Sequence, residues 1–549
     1  MNIRRLILLY SSLFTFHFSL LFAQMDNVVE VENTYTPVLR DVDKLQLLPP
    51  VQSPVLSYKP VEYDTSLRPT HEYSFQPMQA AKSDAADEGS PRRFVRLAGG
   101  TVGQIDARGA YGLRLSSDDL LDFDFSLRGY SAKVQDAWTP AEKLPMRFYS
   151  TRGAVGYQHN FAPTTALKLS GDFESQVMNG QHNTLFSVGA QLTPWKMGDF
   201  SLGGSASFEN FSQKYDNNAF ISSRHNRESH FMTTLNSHWC MDGEQSIGLN
   251  LQADFFTYAF NAFKSNHTFD LHPYYTYRTD DLQLTLGARL DFFTGVEGKF
   301  RAAPDAEVRY HASDALTFFG QAGGGTVANS YRHFAALHPY WIFSPFFQGK
   351  NDLPQLTHQF DYIRSAAGME WNPTTGFFAR FYGGFNKSTG RAELLAGNSL
   401  VQANAWQWYA HADLRYDYKD VFCWTFNGQY NIWHSEYGTN SDANKEAVAW
   451  RPIIDITTEA RVQPVHRLTL TADYAFQTFS LHSGLPYHRP VTSNLGASVS
   501  YQVPLSGSLS RTVLTAFVRG DNLLGRHYDL YPCVRTSGAN VLGGFNFTF

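Results

Sequence analysis

The sequence predicts an all-β protein: a transmembrane, antiparallel, up-and-down β-barrel of about 22 strands, with short periplasmic turns and long outer loops. Three observations favour this fold. The 549 residues include 44 Phe, 29 Tyr and 10 Trp, yet only 17% are charged. Runs of alternating apolar and polar residues follow one another from Phe94 to the end. The linkers between these runs are short and long in turn.

The first 23 residues have the layout of a cleaved secretory signal. Arg4 and Arg5 precede an apolar run, and Ala23 is a small residue at the expected cleavage point. The alternative is a membrane anchor, because the apolar stretch is almost long enough to span a bilayer. The signal interpretation is preferred, and it directs the chain out of the cytoplasm.

Residues 24–93 differ from everything after them. This segment contains eight prolines and little alternation. Proline at such density disfavours both helices and central strands. We expect either an extended periplasmic or lumenal segment or a disordered one.

From residue 94 to residue 549 the dominant pattern has a period of two, as expected for strands with one face toward lipid. A soluble β-sandwich also alternates, but it does not need this many runs. Four of the clearest runs span Leu121–Leu127, Ile247–Phe255, Leu282–Phe292 and Leu468–Phe476.

We count about 22 runs, the twelfth starting near Ala306 and the eighteenth near Val448. Linkers after even-numbered runs are brief, whereas nearly all long linkers follow odd-numbered runs. Bacterial barrels have this asymmetry, with short periplasmic turns and long outer loops. A miscounted strand would break this alternation of short and long linkers, so the regular alternation supports an even number of strands.

The C-terminal run places apolar residues on one face and ends on an aromatic residue. An exposed edge of this kind would invite aggregation unless the first strand covered it. The ending resembles the signal that outer-membrane assembly machinery reads on the closing strand of Gram-negative barrels. The residues that carry this resemblance are Phe545, Phe547 and Phe549.

Two further segments resemble motifs of TonB-dependent outer-membrane receptors. Asn522–Tyr528 resembles the "NLF-D/G-x-x-Y" motif near the end of these barrels, and the segment from Leu353 resembles an entry to a middle strand. The resemblance covers the barrel, and the aromatic-rich strands and Pro-rich leader resemble Bacteroidota members. It implies an outer-membrane location in a Gram-negative bacterium, contact with outer-membrane lipids and the assembly machinery, and TonB or a surface lipoprotein as partner.

The sequence departs from this family before the first strand. Classical members place a folded plug domain there, whereas residues 24–93 lack the plug's mixed α/β pattern. Val28, Val29 and Val31 resemble a TonB box, a short extended motif that binds by strand addition. A barrel without the plug domain would lack the part that occludes and gates the pore in classical members.

The longest outer loop is rich in aromatic residues. One interpretation is that its rings bind a ligand or a surface partner, because contiguous apolar patches usually mark contacts. The other is that the loop folds inward, where its rings pack on other loops or narrow the pore. The residues concerned are Tyr331, Phe334, Tyr340, Trp341, Phe343, Phe346 and Phe347.

Several function classes are disfavoured. A net charge of −5 argues against a nucleic-acid-binding protein. The mean hydropathy of −0.32 argues against a helical membrane bundle. Three cysteines cannot form a disulfide framework, and neither G-x-S-x-G nor H-E-x-x-H is present, so no enzyme, cofactor or metal is predicted.

Three functions therefore remain. The first is a TonB-dependent-receptor-like barrel that binds or passes a solute. The second is an accessory barrel within a larger surface or assembly complex, and the third is a passive porin. Predicted lumenal residues carry mixed charges, which indicates no strong ion preference.

Overall fold

The computed structural model describes residues 93–549 apart from several gaps. The gaps are residues 136–142, 163, 179–180, 216–224, 260–262, 296–299, 338–355, 395–399, 420, 438–443, 446, 481–490, 506–511 and 532–533. The predicted signal and residues 24–92 lie outside the described residues.

The described residues are mostly β-strand, together with the helix α1 (Tyr331–Leu337), a short helical segment that includes Asn444, Lys445 and Ala447, and a 3-10 turn at Thr101–Gly103. None of its helices is long and apolar enough to cross a membrane. The strands are β1 (Arg93–Gly100), β2 (Ile105–Arg114), β3 (Asp119–Gln135), β4 (Lys143–Ala162), β5 (Thr165–Met178), β6 (Gln181–Met197), β7 (Phe200–Tyr215), β8 (His225–Cys240), β9 (Gln245–Tyr258), β10 (Asn266–Arg278), β11 (Leu282–Thr294), β12 (Phe300–Ser313), β13 (Leu316–Val327), β14 (Gln359–Thr374), β15 (Phe377–Leu394), β16 (Leu400–Tyr418), β17 (Phe422–Glu436), β18 (Pro452–Val465), β19 (Leu468–Phe479), β20 (Val491–Val503), β21 (Val513–Asp521), β22 (Asp529–Tyr531), β23 (Val534–Arg535) and β24 (Asn540–Thr548).

Twenty-two of these strands form one closed antiparallel sheet, which confirms the predicted barrel and its strand count. Each strand from β1 to β21 pairs with its neighbours in the chain, and β22 and β23 form a separate small hairpin. The ring closes where β24 pairs with both β21 and β1. Closure removes the exposed edges that an open sheet of this size would have.

The seam between β1 and β24 runs from Phe94 opposite Thr548 to Gly100 opposite Leu542. Phe545 lies opposite Leu97, and Phe547 lies opposite Val95. A side chain at Gly544 would clash with the Leu97 carbonyl oxygen, so glycine permits the close approach of the two strands.

The wall has two faces, as the alternation predicts. On β3, Phe123 and Phe125 point outward and are about half exposed, at 46% and 49%, while Asp122 and Asp124 alternate with them on the inner face. Large outward aromatic residues gather near the ends of the even-numbered strands, as in the girdle of a membrane barrel. They include Trp195, Trp239, Tyr310, Trp371, Tyr418 and Tyr501.

The two ends of the barrel differ. We call the end that carries the connections after even-numbered strands the turn end, and the opposite end the loop end. The long connection between β13 and β14 lies at the loop end, as predicted. The β1–β2 connection is an exception, since it also lies at the loop end yet needs only Thr101–Gln104.

Two strand starts differ from the alternation. β12 begins at Phe300 rather than near Ala306, because Pro304 interrupts the pattern without ending the strand. Pairing of β12 with β13 starts only at Asp305, so Pro304 lies where the strand has one partner and a missing N–H is tolerated. β18 begins at Pro452 rather than near Val448, because the preceding residues form hydrogen-bonded turns.

Candidate functional site

The loop end of the barrel holds the most developed site in the described part of the chain. There α1 packs against the inner wall, and its buried residues join an apolar cluster. Ser330 begins the helix, since its hydroxyl accepts a hydrogen bond from the His333 N–H at 3.0 Å. The cluster contains Phe211, Phe263, Tyr331, Phe334, Ala335, Leu356 and Ala392. We call α1 in this position the docked helix.

Tyr331 is the centre of the docked helix. It is 1% exposed, and its ring lies 6.0 Å from that of Phe211 and 6.2 Å from that of Phe263. Its hydroxyl accepts a hydrogen bond from Asn226 Nδ2 at 2.9 Å and donates one to Gln213 Oε1. Because its ring packs against apolar rings and its hydroxyl is hydrogen-bonded, Tyr331 fixes the orientation of the helix.

A buried carboxylate meets the first turn of the docked helix. Glu228 Oε2 accepts hydrogen bonds from the N–H groups of Tyr331 at 2.5 Å and Arg332 at 3.4 Å. The outward apolar side chains of β8 begin at Phe231 and continue toward the turn end. Arg227, which also faces outward, is exposed and charged. Glu228 therefore lies on the loop-end side of the apolar band of the wall. Burial raises the pKa of Glu228 to about 7, although these N–H groups favour the charged form.

Further charges continue from Glu228 along the inner wall. Arg332 of the docked helix forms an ion pair with Glu209 on β7. His230 lies 3.8 Å from Glu209 and 2.8 Å from Asp254 on β9. The docked helix is therefore tied to the wall by charge as well as by apolar packing.

The returning limb of the same loop is also tied to the barrel. Asn329 Nδ2 donates to the Thr357 carbonyl at 2.9 Å, which joins the two limbs. Gln402 on β16 donates to the same carbonyl at 2.5 Å, and Asn266 on β10 donates to the Leu356 carbonyl at 3.3 Å. Both limbs are thus fixed by side chains of different strands.

His358 ends this limb in a buried position. Its ring centroid lies 6.1 Å from that of Phe256 and 5.7 Å from that of Phe293, and the residue is 2% exposed. Burial lowers the pKa of His358 to about 4. The side chain is therefore neutral near pH 7.

A second buried charge pair lies at the loop end near β15. The Arg451 guanidinium and the Glu393 carboxylate are 2.7 Å apart, and their side chains are 3% and 2% exposed. Arg451 also lies over the Trp433 ring at 5.3 Å. Burial lowers the pKa of Arg451 to about 10, and the positive charge of Arg391 acts in the same direction.

The segment that resembles the "NLF" motif forms a tight turn. Asn522 has a φ of 50° and is 3% exposed. Its Nδ2 donates to the Arg526 carbonyl at 2.8 Å, and its Oδ1 accepts from the Arg526 N–H at 3.2 Å. Tyr528, the last residue of the motif, is buried and receives a hydrogen bond at its carbonyl from the Thr536 N–H at 3.0 Å.

Charged residues of the lumen mostly pair along the wall. Arg152 binds both carboxylate oxygens of Asp172, at 2.5 and 2.8 Å. Asp473 pairs with Arg519 at 3.2 Å, and the hydroxyl of Thr326 donates to Asp291 at 2.5 Å. The lumen is polar, but its charges are largely compensated.

The predicted site residues fall into three groups. Tyr331 and Phe334 are brought together in the docked helix, while Tyr340, Trp341, Phe343, Phe346 and Phe347 lie outside the described residues. Phe545 and Phe549 face outward at the seam, exposed by 58% and 47%, and Phe547 shares their face. Val28, Val29 and Val31 also lie outside the described residues. Ligand contact, assembly signalling and TonB binding stay predictions for these residues.

The sequence does not predict the polar residues that hold the docked helix. Gln213, Asn226 and Glu228 lie on two strands far from residue 331 in sequence, and no local pattern connects them. The helix itself is predictable from the sequence, because Ser330 is a favourable N-cap residue and Tyr331, Phe334 and Ala335 recur at helical spacing. Among the described residues, no group of His, Cys, Asp or Glu is placed to hold a metal ion.

No protein-family model matches the chain, and no curated protein matches it in sequence. Solved structures do match. The ferric-catecholate import receptor Fiu from E. coli K12 has a TM-score of 0.61 and 9% identity over 83% of this chain and 82% of that one. The FrpB iron transporter from Neisseria meningitidis has a TM-score of 0.65 and 11% identity over 84% and 82% of the two chains. The copper transporter OprC has a TM-score of 0.62 and 12% identity over 83% and 81%.

These neighbours are TonB-dependent receptors with barrels of 22 strands, and they are receptors and transporters rather than enzymes. The chain shares their fold. At this identity, the similarity extends to the barrel architecture and not to a cargo.

Proposed function

We propose that this protein is an outer-membrane barrel of the TonB-dependent-receptor type, which binds a solute or passes it across the outer membrane. The observation that carries the proposal is the closed 22-stranded wall with an apolar outer face, a polar inner face and a helix docked inside one mouth. Such a wall needs hydrocarbon outside and water or protein within. The turn end then faces the periplasm, and the loop end faces the exterior of a Gram-negative cell.

The docked helix supports a receptor over an open pore. A diffusion channel needs an unobstructed mouth, whereas here the limbs on both sides of residues 338–355 are bound to the inner wall by buried polar contacts. The two described limbs of this loop, held in this way, narrow the entrance. Tyr340, Trp341, Phe343, Phe346 and Phe347 belong to the connection between these limbs and are our candidates for contact with the solute or a surface lipoprotein.

The N-terminal region completes the proposal. Residues 1–23 act as a signal peptide, and residues 24–92, up to the start of β1, extend into the lumen or the periplasm. Val28, Val29 and Val31 offer a strand to TonB, and Phe545, Phe547 and Phe549 are read by the barrel assembly machinery. The neighbours import iron complexes or copper, but compensated lumenal charges favour no ion, so we assign no cargo.

Conductance in planar lipid bilayers tests this function. We expect the mature chain to conduct poorly and a variant lacking residues 24–92 to conduct well, because an occluding segment has been removed. A variant lacking residues 340–350 is the matched control for shortening the outer loop alone. Large, steady conductance of the unmodified chain would make it a porin. Silence of every variant, together with a stoichiometric co-purified partner, would make it an accessory subunit.

A further inference from the structure

A groove crosses the outward face of the wall over β1 to β6. Its volume is about 670 Å³, within the range of small-molecule sites. Its floor is formed at Gly109, Gly153 and Gly171, which interrupt an otherwise bulky apolar surface. The outward side chains around it are Val95, Tyr111, Phe123, Phe125, Val155, Phe173, Phe186 and Phe549.

The cross-strand register creates the groove. Gly153 on β4 lies directly opposite Phe125 on one side and Phe173 on the other. Gly109 on β2 lies between Val95 and Phe125 in the same way. Apolar side chains that are about half exposed therefore stand on either side of positions that have no side chain.

The fold does not require glycine at these positions. A Cβ atom added at Gly153 meets nothing within 4 Å, and one added at Gly171 meets only Val155 Cγ1 at 3.4 Å. Glycine inside a strand weakens it, because no side chain packs and the unfolded chain gains freedom. The groove is thus not a by-product of tight strand packing.

A cation lies at the turn end of the groove. The Arg93 guanidinium lies 5.1 Å from the centroid of the Tyr111 ring, and its Nε donates to the Gly112 carbonyl at 3.1 Å. Within the part of the chain that the structure describes, no carboxylate forms an ion pair with Arg93. The nearest outward carboxylate of β3 at this end, Asp119, is satisfied by Ser116, Tyr157 and His159.

The geometry points to a bound glycerophospholipid, with an acyl chain in the groove and its phosphate at Arg93. The inference rests on the proposed membrane location but adds a specific ligand to it. An apolar groove in a lipid-facing wall selects hydrocarbon, and a cation at its interfacial end selects an anion on that hydrocarbon. A protein occupant is disfavoured, because the strands here are paired on both sides and offer no edge for strand addition.

Native mass spectrometry of the detergent-purified chain tests this site with two probes. One is palmitoyl-oleoyl phosphatidylglycerol, and the other is the diacylglycerol with the same chains, which lacks the phosphate. We expect the phospholipid to be retained in preference to the diacylglycerol. Arg93→Gln should reduce that preference about fivefold, equivalent to about 1 kcal/mol. Gly153→Leu should abolish retention of both lipids by filling the groove.

Matched controls are available elsewhere on the wall. Arg147 lies over the Tyr149 ring at 5.3 Å toward the loop end, so Arg147→Gln removes the same kind of contact at the other end of β4. Gly320 lies on the distant outward face of β13, so Gly320→Leu adds the same side chain away from the groove. Both controls should retain the lipid as the unmodified chain does.

Equal retention of the two lipids by the unmodified chain, or undiminished retention by Gly153→Leu, would overturn the site. A dimer that disappears in Gly153→Leu would replace the lipid with a second copy. Heat-modifiable migration in gels identifies any variant that fails to fold, and Gly171→Leu then repeats the test. Insertion of the unmodified chain into lipid vesicles is measured separately, so failure of the lipid site is distinguishable from failure of the membrane location.

Discussion

At the scale of single residues, the buried ion pair of Arg451 and Glu393 illustrates how the loop end is stabilised. Both side chains are almost completely buried, so water cannot solvate either charge when its partner is removed. Breaking such a pair by removing one partner is costly, whereas replacing both with apolar residues is often tolerated.

Glu393→Gln should therefore destabilise the barrel by about 3–5 kcal/mol, because Arg451 is left buried without a counter-charge. The double variant Glu393→Leu/Arg451→Met should recover part of this loss, because Arg391, whose Nε lies 3.3 Å from Glu393 Oε1, still loses its partner. Urea unfolding in lipid vesicles measures both. Equal stability of Glu393→Gln and the unmodified chain would contradict a structural role for the pair.

Asn522 offers a second test at this scale, because its backbone is left-handed and its side chain bonds to Arg526 twice. Asn522→Gly keeps the conformation but loses both hydrogen bonds, at about 2 kcal/mol in total. Asn522→Ala loses the bonds and adds backbone strain of about 1 kcal/mol. The alanine variant should consequently unfold at lower urea than the glycine variant. The reverse order would show that the turn does not hold this φ.

At the scale of elements, the docked helix depends on Glu228. Its pKa is raised from an ordinary value of 4.5 to about 7 in the docked state. The docked state thus holds the proton more tightly than the undocked state. Docking should be weakest above about pH 7, strengthen as the pH falls, and stop changing below about pH 4.5.

Glu228→Gln should remove this pH dependence, because the amide stays neutral throughout the window and its oxygen still accepts the N–H groups of the helix. A nitroxide on Ala336→Cys, an exposed position of α1, reports docking through its mobility once the native cysteines are replaced by serine. Glu174→Gln is the matched control, since that inward carboxylate bonds to Ser150 on β4. Unchanged pH dependence in Glu228→Gln would assign the titration to another group.

The seam between β1 and β24 is the element on which closure depends. Phe545 faces outward opposite Leu97. Phe545→Arg places a charge toward lipid and should cost about 2–4 kcal/mol, whereas Phe545→Leu should be nearly neutral. The folded fraction in vesicles across a urea series measures the difference. Equal stability of the arginine and leucine variants would mean that this face of the seam does not contact lipid.

Much of this element structure is predictable from sequence, and the exceptions have identifiable causes. Alternation locates the strands because a lipid-facing wall imposes one period everywhere. Alternation does not locate the start of β12, where Pro304 interrupts the pattern. Proline lacks the N–H that a strand paired on both sides needs, but Pro304 is paired on one side only. The seat of the docked helix is not predictable, since Glu228 contacts Tyr331 across 103 positions of chain and only the closed barrel brings them together.

At the scale of the whole molecule, the proposed function requires a wall with hydrocarbon on one side and water or protein on the other. In that arrangement, successive residues of one strand face hydrocarbon and the water or protein of the lumen in alternation. β3 is the best strand for this purpose, because outward Leu121, Phe123, Phe125 and Leu127 alternate with inward Asp122, Asp124 and Ser126.

The most direct test is a nitroxide scan of residues 121–127 in lipid vesicles, one label at a time in a cysteine-free background. Accessibility to oxygen reports lipid, and accessibility to a water-soluble nickel complex reports water. We predict that oxygen accessibility peaks at every odd position and nickel accessibility at every even one. Equal accessibility to the nickel complex along the whole strand would contradict the membrane barrel.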